Sequence, residues 1–356
     1  MRTRWPDEIA GSHWEFGANL AYMKKLAAYW AKGFDWRKIE REINRYPNFL
    51  AEIDGHKTHF AHVKGKEKHS IPLILTHGWP GSFLEFMKLI PLLTEGPAPA
   101  FDVVIPSMPG FGFSERITER GCNVRYMADL WCKLMKNLGY DRFGAQGGDF
   151  GAGVTTALAL KYPQHVIAAH LNYIPGSDVP YLSDGQPLSQ EEVEFGRRAG
   201  DWYDREGAYD HQQRTKPITL GYSLNDSPAG LCAWIVEKFH GWSDCKGDLE
   251  SVFTKDELLA NVTLYWVTET IHSSMRLYYE NSKIPWRLGG DEYVSVPVGI
   301  AKFALEDPFP PRVFINKGYN VQHWSEFPEG GHFAAMEKPK LLAKDVKDFF
   351  RTLGMG

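Results

Sequence analysis

The chain has 356 residues, 43% hydrophobic and 24% charged, a balance that excludes disorder, collagen and coiled coil as descriptions of the whole. Forty basic against 44 acidic residues leave a net charge of −4, so no electrostatic footprint for nucleic acid is present. At roughly 150 residues per domain the length exceeds one simple core, and 12 Trp, 16 Tyr and 21 Phe need a large core or an apolar cavity to receive them.

Cys122, Cys132, Cys232 and Cys245 form no C-x-x-C pair, which suggests neither a zinc framework nor a disulfide scaffold. No apolar h-region follows Met1, and no apolar run approaches about eighteen residues. The expectation is a cytoplasmic protein without a membrane anchor. Asn225-Asp-Ser227 and Asn261-Val-Thr263 match the glycosylation sequon, and without a secretory signal they read as chance.

In chain order, the first ~50 residues read as helices without a clear core of their own, one around Leu20–Trp30 and one from Asp35 to Asn44 with Asp35 as N-cap. The two alternating runs from Phe49 to Val63 are joined by Asp54-Gly55, a strong hairpin signal that should open a sheet. From Ile71 short, mostly continuous apolar runs alternate with amphipathic helices, the pattern of parallel strands covered on both faces. Strands are expected at Leu73–Thr76, Val103–Pro106, Phe143–Gln146 and Ile167–Asn172, with a helix from Tyr126 to Leu138 stopped by Gly139. After Pro175 the strand signal fades for more than a hundred residues, and helical segments such as Pro228–Phe239 and Lys255–Ser274 suggest an inserted lid. Strands return at Val294–Phe303 and Val321–Phe327, and a helix over Pro339–Leu353 closes the chain. The implied division is a meander over 1–55, core over 56–175, lid over 176–290 and core again over 291–356.

Three segments carry the chemistry. In Gly147-Gly148-Asp149-Phe150-Gly151 a strand meets a helix through a turn flanked by small residues, the geometry of a nucleophile elbow with aspartate where serine is usual. A glycine-rich βα turn with an N-capping aspartate reads the same segment alone equally well. No Gly-x-Ser-x-Gly occurs, which disfavours a serine esterase. His77-Gly78-Trp79-Pro80 follows the first core strand, where an oxyanion-hole loop belongs, with the backbone N–H groups of Trp79 and Phe150 as its two donors. His77 itself reads as structural. His332, on the glycine loop Gly330-Gly331 before the last helix, stands where the base belongs, and Glu306 or Asp307 could orient it.

Together with Ser107-Met-Pro-Gly110-Phe-Gly112-Phe-Ser114, these motifs resemble the microsomal-type epoxide hydrolases, including their juvenile-hormone and bacterial members. The likeness covers nearly the whole chain, from Asp35-Trp36-Arg37 in the meander to Leu224-Asn-Asp-Ser-Pro228 in the lid. It implies an α/β-hydrolase fold, a mainly parallel sheet flanked by helices, with a helical lid insertion and an N-terminal helical meander. It maps Asp149 to the nucleophile, His332 to the base, Glu306 to the acid that orients it, and Tyr209 and Tyr278 to the phenols that hold the epoxide oxygen, with Tyr279 adjoining the second. Trp79, Phe150, Tyr209 and Tyr278 would also contact substrate.

The implied reaction adds water to an epoxide through an alkyl ester on Asp149 and gives a vicinal diol. It needs no metal or organic cofactor. The aromatic excess suggests a bulky hydrophobic epoxide as the small-molecule partner. A homodimer is expected only from the habit of soluble enzymes. Two other readings stand beside this one: a haloalkane dehalogenase-like hydrolase, and a repurposed non-catalytic or cyclising member of the fold.

Overall fold

The computed structural model describes residues 3–175, 187–283, 288 and 292–355; the rest of the expected lid, including 176–186, lies outside the described residues. Eight strands form one sheet: β1 (Asn48–Ile53), β2 (His56–Val63), β3 (Ile71–Thr76), β4 (Phe101–Pro106), β5 (Phe143–Gly147), β6 (Val166–Leu171), β7 (Val294–Phe303) and β8 (Tyr319–Phe327). Their order is β1-β2-β4-β3-β5-β6-β7-β8. The first hairpin and the β2–β4 pair are antiparallel, and the other pairs are parallel. Asp54 and Gly55 both take positive φ, as the tight two-residue turn requires. The hairpin's first strand, inside the expected meander, is thus the edge of the sheet.

Strand periodicity divides the core into two layers. Leu73 and Leu75 of β3 and Val103 and Ile105 of β4 face one apolar cluster with Phe83, Phe86, Val346 and Phe350. Ile74 and Val104, one residue out of phase, face the other with Met127, Trp131, Val154 and Leu158. Helices therefore cover both faces, which is why these strands read as continuously apolar. Met23 and Leu26 of the first helix, Leu20–Lys32, join the second cluster. Ile43 of the second helix, Trp36–Ile43, joins the first cluster, so the N-terminal helices have no core apart from the sheet's two layers.

The strands run one or two residues beyond the sequence limits at several ends. A larger difference concerns Lys255–Ser274, expected as one helix. It is two, Lys255–Thr268 and Ile271–Lys283, broken where Glu269 takes a left-handed conformation at φ 54°. A non-glycine residue gives little sequence warning of such a stop. Between β6 and β7 the described residues are helical, and they reach the carboxyl ends of the central strands through Asn261 and Tyr265. Among the described residues, no helix is long and apolar enough to cross a membrane.

Candidate active site

Three loops at the carboxyl ends of β3, β5 and β8 meet at Asp149. The β5 loop holds Asp149 at φ 51° and ψ −130°, a region that L side chains rarely enter. The neighbours must be small to allow it. A Cβ on Gly151 would lie 1.8 Å from the Thr76 carbonyl oxygen, and one on Gly147 would lie 2.2 Å from the Gly151 carbonyl oxygen. A Cβ on Gly78 would lie 2.3 Å from Asp149 itself. The glycines of both motifs thus let three backbones close around one carboxylate.

The Trp79 N–H donates to Asp149 Oδ1 at 2.8 Å. Phe150, the other expected donor, opens the helix Phe150–Lys161, where an N–H has no helical acceptor. The Trp79 loop is pinned from the lid: Asn261 Nδ2 donates to the Pro80 carbonyl at 2.8 Å and the Tyr265 hydroxyl to that of Gly81 at 2.7 Å. Asn261, buried and bonded this way, is no glycosylation acceptor. His77 is fully buried, accepts from the Met108 N–H at 3.2 Å and is held down to about 4 by burial, so its role is structural.

On the other side of Asp149, His332 Nε2 lies 3.4 Å from Oδ2, and its Nδ1 lies 2.9 Å from Glu306 Oε2. Burial opposes charge on the imidazole, but Glu306 and Asp149 together raise His332 well above the usual value. The histidine loop is fixed by a residue that sequence reasoning missed. Glu337 accepts from the N–H groups of Gly331, Phe333 and the lid's Asp244 at 3.1, 2.9 and 2.8 Å. The His332 N–H donates to the Trp242 carbonyl at 2.9 Å, so the histidine loop is joined directly to the helix Pro228–Trp242.

Both expected tyrosines reach the site. Tyr209, in the helix Ala208–Thr215, stacks on Trp79 at 5.4 Å with a 6° interplanar angle. Tyr278, in Ile271–Lys283, meets Trp79 edge-on at 5.7 Å and Phe150 at 4.6 Å. The two phenol rings meet edge-on at 5.9 Å, and burial pushes both hydroxyls well above the ordinary phenol value, so both carry their protons. Tyr279 lies against Lys283 instead, so of the two neighbours it is Tyr278 whose ring meets Trp79 and Phe150.

Behind the Asp149 carboxylate lies a cavity of about 10 Å³ as traced by the centre of a water molecule, room for about one. Thr76, Glu85, Asp149 and His332 line it. The Thr76 hydroxyl is buried without a hydrogen-bond partner, and burial raises Glu85 to about 8. Glu85 was also missed from the sequence. A carboxylate inside Phe83-Leu84-Glu85-Phe86 was the available signal.

Residues 1–86 match the family model "Epoxide hydrolase N terminus" and residues 71–219 match "alpha/beta hydrolase fold". The chain is 38% identical to "Epoxide hydrolase 1" of Sus scrofa, over 97% of this chain and 83% of that one. It superposes on an epoxide hydrolase structure from Aspergillus niger with a TM-score of 0.86 at 30% identity, covering 99% and 91% of the two chains. The juvenile hormone epoxide hydrolase structure from Bombyx mori gives 0.84 at 32%, covering 99% and 88%. Fold, site and relatives agree, and the chain belongs to the epoxide hydrolases of the α/β-hydrolase fold.

Proposed function

We propose that the enzyme opens its epoxide by direct attack of Asp149, forming an alkyl ester that water then cleaves to the vicinal diol. The observation behind this reading is that Asp149 stands between two sets of groups. The Trp79 N–H and the Tyr209–Tyr278 phenol pair suit ring opening, and the His332–Glu306 pair suits hydrolysis. A carboxylate nucleophile is the right choice for an epoxide carbon, because it leaves a cleavable ester where serine would leave an ether.

In the first step an Asp149 oxygen displaces the epoxide oxygen, and a phenol gives its proton to the departing alkoxide. The resulting phenolate recovers a proton from the imidazolium of His332. Ester formation removes the Asp149 charge that helped to hold that proton, so the imidazole is then free to act as base. In the second step it takes a proton from a water that the cavity beside Glu85 has room to hold, and the hydroxide attacks Asp149 Cγ. The Trp79 and Phe150 N–H groups stabilise the tetrahedral oxyanion, an effect of roughly 3 kcal/mol for one such donor. Collapse expels the diol, the Asp149 carboxyl proton neutralises the leaving alkoxide, and imidazolium and carboxylate are restored.

The substrate we assign is a hydrophobic epoxide, because the rings of Trp79, Phe150, Tyr209, Trp242 and Tyr278 surround the nucleophile. The four free thiols suit a reducing cytoplasm. Mixing the His332→Gln variant with styrene oxide tests the ester. A protein adduct of enzyme plus one epoxide, mapped to Asp149, should accumulate, and steady diol release with no adduct would refute the scheme.

One observation favours a second reading, carbon–halogen cleavage. The indole N–H groups of Trp79 and Trp242 are buried without a hydrogen-bond partner, and such donors can hold a leaving halide. Halide release from a chloroalkane without diol formation from any epoxide would support that reading instead.

A further inference from the structure

We infer that Lys238 is a positioning residue for Tyr209, its buried ammonium group lying over the phenol ring and stabilising the phenolate formed as the epoxide opens. The inference rests on the proposal that Tyr209 supplies a proton in ring opening.

Lys238 lies in the helix Pro228–Trp242 and is only 6% exposed. Lysine is seldom so buried, and a surface ion pair would have let its long stem carry the charge outward. Its Nζ instead sits 4.9 Å from the centre of the Tyr209 ring and 5.5 Å from that of Trp242. Two carboxylates hold it there, Glu237 at 2.9 Å and Glu206 at 3.5 Å. Both of these side chains are more exposed than the lysine, so the ammonium group is the inner member of the cluster.

A cation over an aromatic face is attracted to the electron density of the ring. Ionising the phenol adds density, so the attraction grows as the proton leaves. An interaction stronger in the transition state than in the ground state speeds the step. Tyr209 needs such help. Burial and the negative charges of Asp149 and Asp210 oppose its ionisation, Tyr173 adds to that opposition, and Tyr278, whose ring meets it edge-on at 5.9 Å, favours it slightly. Lys238 supplies the cation over the ring; its two carboxylate partners, Glu206 and Glu237, outnumber it in charge but are the more exposed members of the cluster. The same helix ends in Trp242, whose carbonyl holds the His332 N–H. A mere packing defect in this helix would therefore disturb both chemical steps, whereas loss of the charge alone would slow only the first.

The test is a stopped-flow separation of ring opening and ester hydrolysis with styrene oxide, in the native enzyme and in Lys238→Met, Lys238→Gln, Lys238→Arg and Tyr209→Phe. Removing the charge with either neutral residue should slow ring opening about tenfold and leave hydrolysis within about twofold. The alkaline limb of the ring-opening profile should move to higher pH, and Lys238→Arg should restore most of the rate. Equal slowing of both steps, or normal ring opening in Lys238→Gln, would overturn the inference. Normal ring opening in Tyr209→Phe would instead remove the reading on which it rests. Slow opening in Tyr209→Phe beside normal opening in the charge-loss variants would reject Lys238 alone.

Discussion

His332 Nε2 stands 3.4 Å from Asp149 Oδ2, so in the scheme we propose the base of the second step is an ion-pair partner of the nucleophile of the first. The contact would make the two proposed steps depend on each other electrostatically. While Asp149 is charged the imidazole is stabilised as a cation, and once Asp149 is an ester that support is gone.

Asp149→Asn mimics the loss of charge without any reaction. The His332 ring should then titrate at lower pH than in the native enzyme, because one of the two carboxylates that raise it has been neutralised. Histidine NMR across the titration reads this directly, and an unchanged midpoint would show that Glu306 alone sets the charge.

Glu306→Gln should slow ester hydrolysis at least 100-fold. It removes the carboxylate 2.9 Å from Nδ1 that fixes the tautomer and supports the imidazolium. Ring opening, which does not use the imidazole as base, should fall far less, so adduct should build up in rapid-quench samples.

The elbow makes a sharper demand on shape. In Gly151→Ala the new methyl would meet backbone, the Thr76 carbonyl oxygen at 1.8 Å, where no side chain can swing aside. Overpacking against backbone should cost about 3 kcal/mol. Urea unfolding should show it, whereas Gly139→Ala, at a helix end with open space around it, strains only its own positive φ.

The pH dependence of stability should carry a mark of the buried carboxyl groups. Burial raises Glu85 from 4.5 to about 8 and Glu337 from 4.5 to about 7. The folded state therefore binds more protons than the unfolded chain across that window, so the stability these groups contribute is full below about 4.5 and is lost as the pH rises. Glu85→Gln removes one of the titrations. Its stability relative to the native enzyme should improve steadily from about pH 5 to about pH 8 in urea unfolding, and a constant difference would show that Glu85 does not titrate there.

Much of this site is legible in the amino-acid sequence because its motifs are steric requirements. Gly147 and Gly151 must be small for Asp149 to sit on its turn, and Asp54-Gly55 must take positive φ for the hairpin to close. Local sequence carries such constraints. Tyr209 and Tyr278 lie 69 residues apart on separate helices, and only the family resemblance could pair them. Glu85, Lys238 and Glu337 stay hidden for a related reason. Each looks like an ordinary helical or loop charge until folding brings Asp149, Tyr209 or the His332 loop against it. The stop at Glu269 escapes the sequence reading because its left-handed conformation is carried by a residue without that preference.

The proposed covalent ester on Asp149 is most directly tested by a single turnover in heavy-oxygen water with enzyme in excess, followed by mass spectrometry of both diol and protein. The diol from this first turnover should be unlabelled, its new oxygen drawn from the carboxylate, and the heavy oxygen should be found in Asp149. Label in the first-turnover diol, with none in Asp149, would mean that water attacks the epoxide directly and would contradict the account.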